Sequence, residues 1–170
     1  MAYDVLQALA PGAISTSTSL AGLLGIEQEV LSSQLPSVVA PAGSITRIKL
    51  VKASAAIANS ASRALLWTTD ASTGTVASIT GAAAVTGTVA GFAILPTGTT
   101  GVSSGDYFWV AIRGPCLATT AAATAAGVAL ATHGAAGDID DTTVTYATVV
   151  AYGMALTGGA VVATVRACVA

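Results

Sequence analysis

The sequence predicts a mainly β protein: an antiparallel β-sandwich or barrel of about eight to ten short strands, preceded by an extended N-terminal arm. Three observations predict it. From Ser44 onward, apolar residues recur with period two in segment after segment. Gly, Thr and Ser clusters separate these short runs at close intervals. Residues 1–44 lack that rhythm and are punctuated by Pro11-Gly12, Pro36 and Pro41-Ala42-Gly43.

The arm comes first. Within it, Ser19–Ser33 reads as a short helix, with Leu20, Leu23, Leu24 and Leu31 on roughly one face. On such a helix Glu27 and Glu29, two residues apart, do not face each other. Tyr3, Val5, Leu6 and Leu9 are apolar residues in a stretch with little core of its own, so the arm is expected to lie along another surface, either of its own domain or of a neighbour. The β-rich domain, residues 45–170, opens with Ile45–Lys52, which alternates apolar and polar side chains as a half-buried strand does. Strands follow at 64–69, 75–80, 83–86 and 88–95, then a Gly/Thr/Ser loop over 96–105. Asp106–Arg113 carries three successive aromatics, Tyr107-Phe108-Trp109. Alternation places Trp109 on one face with Tyr107 and Ala111, and Phe108, Val110 and Ile112 on the other. Gly114-Pro115 is expected to break this strand, with 116–120 resuming it. Segments 127–132, 142–156 and 160–169 complete the set. The Ala-rich stretches 53–61 and 121–126 allow a helical turn each and no helix that organises the fold.

Composition bounds the function. The chain is 54% hydrophobic and only 8% charged, with a net charge of −2. A typical soluble domain carries about 25% charged residues, so this surface is built from Ala, Gly, Ser and Thr. Such a surface repels its copies weakly and suits a working state in which much of it is covered. No stretch reaches the roughly 18 apolar residues of a membrane-spanning helix. Met1-Ala2-Tyr3-Asp4 lacks the basic region of a secretory signal, so neither export nor a membrane partner is expected. Arg47, Lys49, Lys52, Arg63, Arg113 and Arg166 form no run. The clustered charge that nucleic-acid binding needs is therefore missing from the sequence. Cys116 and Cys168 are too few and too far apart for a metal clip, and are expected to be unbridged thiols.

Titratable groups that could converge on a substrate are scarce. His133 lies in a turn context, followed by Asp138, Asp140 and Asp141, which reads as a solvated acidic loop. The same loop lacks the spacing and closing Glu of a calcium loop. Gly81–Gly87 lacks the Lys-Ser/Thr ending of a phosphate loop. The sequence therefore predicts a non-enzymatic protein with no catalytic residues, cofactor or metal. Its candidate contact residues are Tyr3, Val5, Leu6, Leu9, Trp67, Tyr107 and Trp109. An alternative of another class, a carbohydrate- or ligand-binding β-sandwich, would use Trp67, Tyr107 and Trp109 to line a site.

One family resemblance is carried by the order of segments. These are Leu50–Ile57 with its Val-Lys-Ala-Ser core, Gly105-Asp106-Tyr107-Phe108-Trp109-Val110 through Gly114-Pro115, Gly127–Thr132, Ala151–Leu156 and Val161–Val169. Over residues 45–169 this resembles the head decoration (cement) proteins of tailed bacteriophages. The resemblance implies a β-rich, often trimeric virion protein, made in the host cytoplasm, that sits on the capsid surface and bridges capsomers. Its partners would be the major capsid protein and copies of itself. A head-fibre base or coat subunit is the neighbouring alternative. Residues 1–44 fall outside the pattern and would be an arm reaching an adjacent subunit.

Overall fold

In the computed structural model of the chain, the described residues are 9–38, 40–58, 63–68, 74–78, 89–95, 101–120, 125–127, 129–132, 139–140, 153–155 and 162–168. The protein is mainly β. A 3₁₀ turn at Thr18–Leu23 leads into β1 (Glu27–Leu31), and a second at Ser32–Gln34 follows it. Next come β2 (Ile45–Ala53), β3 (Ile57–Ala58), β4 (Ala64–Trp67), β5 (Thr75–Ser78) and β6 (Val89–Ala93). The remaining strands are β7 (Gly101–Val102), β8 (Tyr107–Thr119), β9 (Ala129–Thr132), β10 (Ile139–Asp140), β11 (Gly153–Ala155) and β12 (Val162–Cys168).

Ten of these form one sheet in the order β1-β2-β5-β4-β6-β8-β12-β11-β9-β10, and β3 pairs with β7 separately. An additional β2–β8 pairing closes β2, β5, β4, β6 and β8 into a circuit. The pairings are antiparallel apart from β2–β5, which runs parallel through Lys52↔Thr75 and Ala53↔Val76, and an isolated parallel bridge between Thr120 and Ile139. The sheet is thus not purely antiparallel.

Period-two alternation gives the circuit two apolar faces. Ile48 and Leu50 of β2, Phe92 of β6, and Tyr107, Trp109 and Ala111 of β8 belong to one buried cluster. Val51, Leu65, Val76, Phe108 and Val110 belong to the other. Both faces of β8 are therefore covered, which explains why its sequence is a near-continuous apolar run.

β8 runs unbroken through Gly114-Pro115, where the sequence suggested an interruption. A bulge makes this possible. Arg47 lies opposite Arg113 and Ile48 opposite Ala111, so Ile112 is the extra residue. The bulge shifts the alternation by one, and Cys116 and Ala118 rejoin the face of Trp109 and Ala111. Gly114 adopts φ +96°, and a Cβ there would collide with the Ile45 carbonyl oxygen, so a glycine is required. Pro115 has no N–H to donate, and its carbonyl accepts from the Thr46 hydroxyl.

The segment before Ser44 differs from the expected helix. Ser19–Ser33 divides into the 3₁₀ turn and strand β1, because Gly22 and Gly25 interrupt helix propagation and Gly25 takes φ +81°. From Leu9 onward this segment folds against its own chain. Pro11-Gly12 makes a turn with Ala13 N–H donating to Ala10 O, and Gly12 holds φ 90°. Ser15 and Tyr107 exchange backbone hydrogen bonds of 2.9 and 2.8 Å. Leu9, Leu20 and Leu35 are buried in the cluster of Trp109.

Candidate functional site

Of the residues singled out from the sequence, Leu9, Tyr107 and Trp109 meet in one buried cluster, and Trp67 stands apart from them. Trp109 is fully buried, and its indole N–H donates to the Leu9 carbonyl at 2.9 Å. Tyr107 is buried on the same face, with the Lys52 ammonium 5.6 Å from its ring centroid. Trp67 is half-buried against the opposite cluster, with Lys49 Nζ 5.7 Å from its ring centroid. Tyr107 and Trp109 therefore share no cleft with Trp67. Leu9 is a core residue, and Tyr3, Val5 and Leu6 lie outside the described residues. His133, Asp138 and Asp141 also lie outside them. Among the described residues no helix is long and apolar enough to cross a membrane, and no group of His, Cys, Asp or Glu is placed to hold a metal.

What the structure does assemble is a charged strip with an apolar end on β1 and β2. The antiparallel register places Glu27 opposite Lys49, Glu29 opposite Arg47, and Leu31 opposite Ile45. Lys49 Nζ is 2.9 Å from Glu27 Oε1, and Arg47 Nη2 is 3.0 Å from Glu29 Oε1. Arg47 Nη1 also reaches Glu27 Oε2 at 3.8 Å, so one guanidinium bridges two carboxylates. These side chains are substantially solvated, and each pair contributes at most about 1 kcal/mol. At the end of the strip Leu31 and Ile45 are 48% and 53% exposed, among the most exposed large apolar side chains of the described chain.

The ladder geometry says which backbone groups remain open. Leu50 N–H donates to Ile26 O, and Ser32 N–H donates to Ser44 O. These bonds bracket β1 and set its even-numbered residues as those bonded to β2. The N–H and C=O groups of Glu27 and Glu29 consequently point away from β2, along an edge to which no described strand pairs. Leu31 N–H also points outward but is taken by the Gln34 side chain, whose Oε1 accepts it at 3.3 Å.

The segment after β1 contributes to two further features. Thr46 Oγ1 donates to Pro115 O at 2.6 Å, so at the 2.8 Å contact between hydroxyls it is Ser32 that donates to Thr46. This chain of bonds ties β1's end, β2 and β8 together. Leu35, Val38, Ile94, Cys116 and Leu117 line a cavity of about 10 Å³, room for no more than a single water. Neither feature offers a reacting group to a substrate.

The sequence reading missed the strip because it placed Glu27 and Glu29 on a helix. The signal is nonetheless present: when the two segments are set antiparallel, Glu27 and Glu29 meet the opposite charges of Lys49 and Arg47, and Leu31 meets Ile45. Compared with protein-family models and with curated proteins, the chain matches none.

Proposed function

We propose that this protein is a non-enzymatic virion component, a decoration or cement protein that stabilises a phage head by bridging capsomers. One observation carries the reading furthest. The segments that resemble phage head proteins are scattered along the sequence, yet β2, β8 and β12 are adjacent in the sheet. They are joined by the ladders Lys52↔Tyr107 to Arg47↔Arg113 and Arg113↔Cys168 to Thr119↔Val162. Segments far apart in the sequence that carry the resemblance thus build adjacent strands of one sheet.

The chemistry of the surface supports the same reading. With 8% charged residues, copies and neighbours can approach closely without large desolvation penalties. Many weak contacts repeated over a shell then add up through multivalency. The partners are the major capsid protein and further copies of this chain, and the site of action is the capsid surface. The ligand-binding alternative loses support, since Trp67 stands on the face opposite Tyr107 and Trp109. Capsids built from the major capsid protein alone, heated with and without the chain, test the proposal. The chain should raise the temperature at which they rupture. Unchanged rupture together with specific capture on a glycan array would favour the ligand-binding reading.

A further inference from the structure

We infer that the outer edge of β1 accepts an extended strand from a partner protein. The partner would present an apolar residue opposite Leu31 and basic residues opposite Glu29 and Glu27. The edge is competent because the backbone donors and acceptors of Glu27 and Glu29 face away from β2, as the bracketing bonds Leu50 N–H to Ile26 O and Ser32 N–H to Ser44 O require. The register is limited at one end, where Gln34 already occupies Leu31 N–H.

The side-chain preference can be read from the protein itself. On its inner edge β1 pairs with Ile45-Thr46-Arg47-Ile48-Lys49, which sets Ile45 beside Leu31, Arg47 beside Glu29 and Lys49 beside Glu27. A strand on the outer edge meets the same three side chains from the other side. Each carboxylate has four lone-pair positions, and at Glu29 the ion pair to Arg47 runs through Oε1. An incoming cation at that position therefore has an acceptor, whereas an incoming carboxylate is repelled. The exposed Leu31–Ile45 pair supplies the apolar contact that fixes the strand's polarity. A second β1 strand is a poor occupant by the same rule, since it would bring its own Glu27 and Glu29 to this edge.

This inference rests on the assembly reading only for who supplies the strand; the edge itself can be tested without a capsid. The probe is the peptide acetyl-Ser-Ile-Thr-Arg-Thr-Lys-Thr-amide, titrated into the isotope-labelled full chain. A control peptide has Glu in place of Arg and Lys. The basic peptide should shift and protect the Glu27 and Glu29 amides and bind roughly tenfold more tightly than the acidic one, as two cross-strand charge pairs allow. Glu29→Pro deletes an outward N–H without touching the β1–β2 bonds and should abolish binding, while Glu29→Gln, which keeps the N–H, should only weaken it. If Glu29→Pro does not fold, the amide map and the peptide pair decide alone. Absence of shifts at Glu27 and Glu29 at millimolar peptide, or equal affinity for the two peptides, overturns the inference. Folded Glu29→Pro that binds capsids as well as wild type would overturn it while leaving the proposed function standing. Peptide binding without capsid binding would do the reverse.

Discussion

Replacing Trp109 by Ala is the perturbation whose cost the structure specifies best. Its side chain is 0% exposed and packs in the cluster that includes Leu50, Phe92 and Leu9. Its indole N–H also holds the Leu9 carbonyl at 2.9 Å. Truncating a buried Trp costs about 3–5 kcal/mol through lost apolar burial and the cavity left behind. For a chain of this length each kcal/mol lowers Tm by about 2–4 °C, so Trp109→Ala should melt roughly 6–20 °C below wild type. Trp109→Phe keeps most of the apolar contact and deletes the donor. It should cost about 1–3 kcal/mol, the penalty for leaving the Leu9 carbonyl unsatisfied. Near-UV circular dichroism melts of the three proteins measure both effects. A Trp109→Ala protein that melts within about 2 °C of wild type, but fails to assemble, would refute the placement of Trp109 in the chain's own core.

Three further outcomes follow from particular contacts. Cys116 lies opposite Val165 and Cys168 opposite Arg113, three positions apart along the β8–β12 ladder. Their Cα atoms are thus about 10 Å apart, beyond the roughly 7 Å limit of a disulfide, so thiol titration of the denatured, unreduced protein should find both. Thr46→Val removes the hydroxyl that accepts from Ser32 and donates to Pro115 O. It should cost about 1–3 kcal/mol in urea unfolding, and adding Ser32→Ala should cost much less than the separate effects together. Gly114→Ala forces a side chain into φ +96° against the Ile45 carbonyl. It should destabilise by at least about 1–3 kcal/mol and perturb β2 amide shifts near Ile45, whereas a neutral substitution would show that the bulge can relax.

The fold class was legible because period-two alternation is a local signal. Ile45–Lys52 and Asp106–Arg113 read as strands, and the structure gives β2 (Ile45–Ala53) and β8 (Tyr107–Thr119) there. The faces of Trp109 and Phe108 were assigned correctly for the same reason. Three things were not legible. Continuation of β8 through Gly114-Pro115 depends on a bulge set by the partner strand, and Pro115 is served by a hydroxyl from β2, so the residues alone suggest a break. The parallel β2–β5 pair is a long-range choice that no local pattern encodes. In Ser19–Ser33 leucines at helical spacing outvoted Gly22 and Gly25, although Gly25, at φ +81° just after the 3₁₀ turn, redirects the chain into Glu27–Leu31, which pairs with β2. That one misreading hid the charged strip, because Glu27 and Glu29 share a face only on a strand. For Leu9 the sequence left open a surface of its own domain or of a neighbour; Trp109, a hundred residues away, offers it both a pocket and a donor.

The most direct measurement of the central claim is sedimentation of the chain with capsids assembled from the major capsid protein alone, followed by electron microscopy of the pellet. Saturable binding is expected, with added density at positions that repeat with the symmetry of the shell. A folded chain that stays in the supernatant at saturating concentration, with no added density on the capsid, would contradict it.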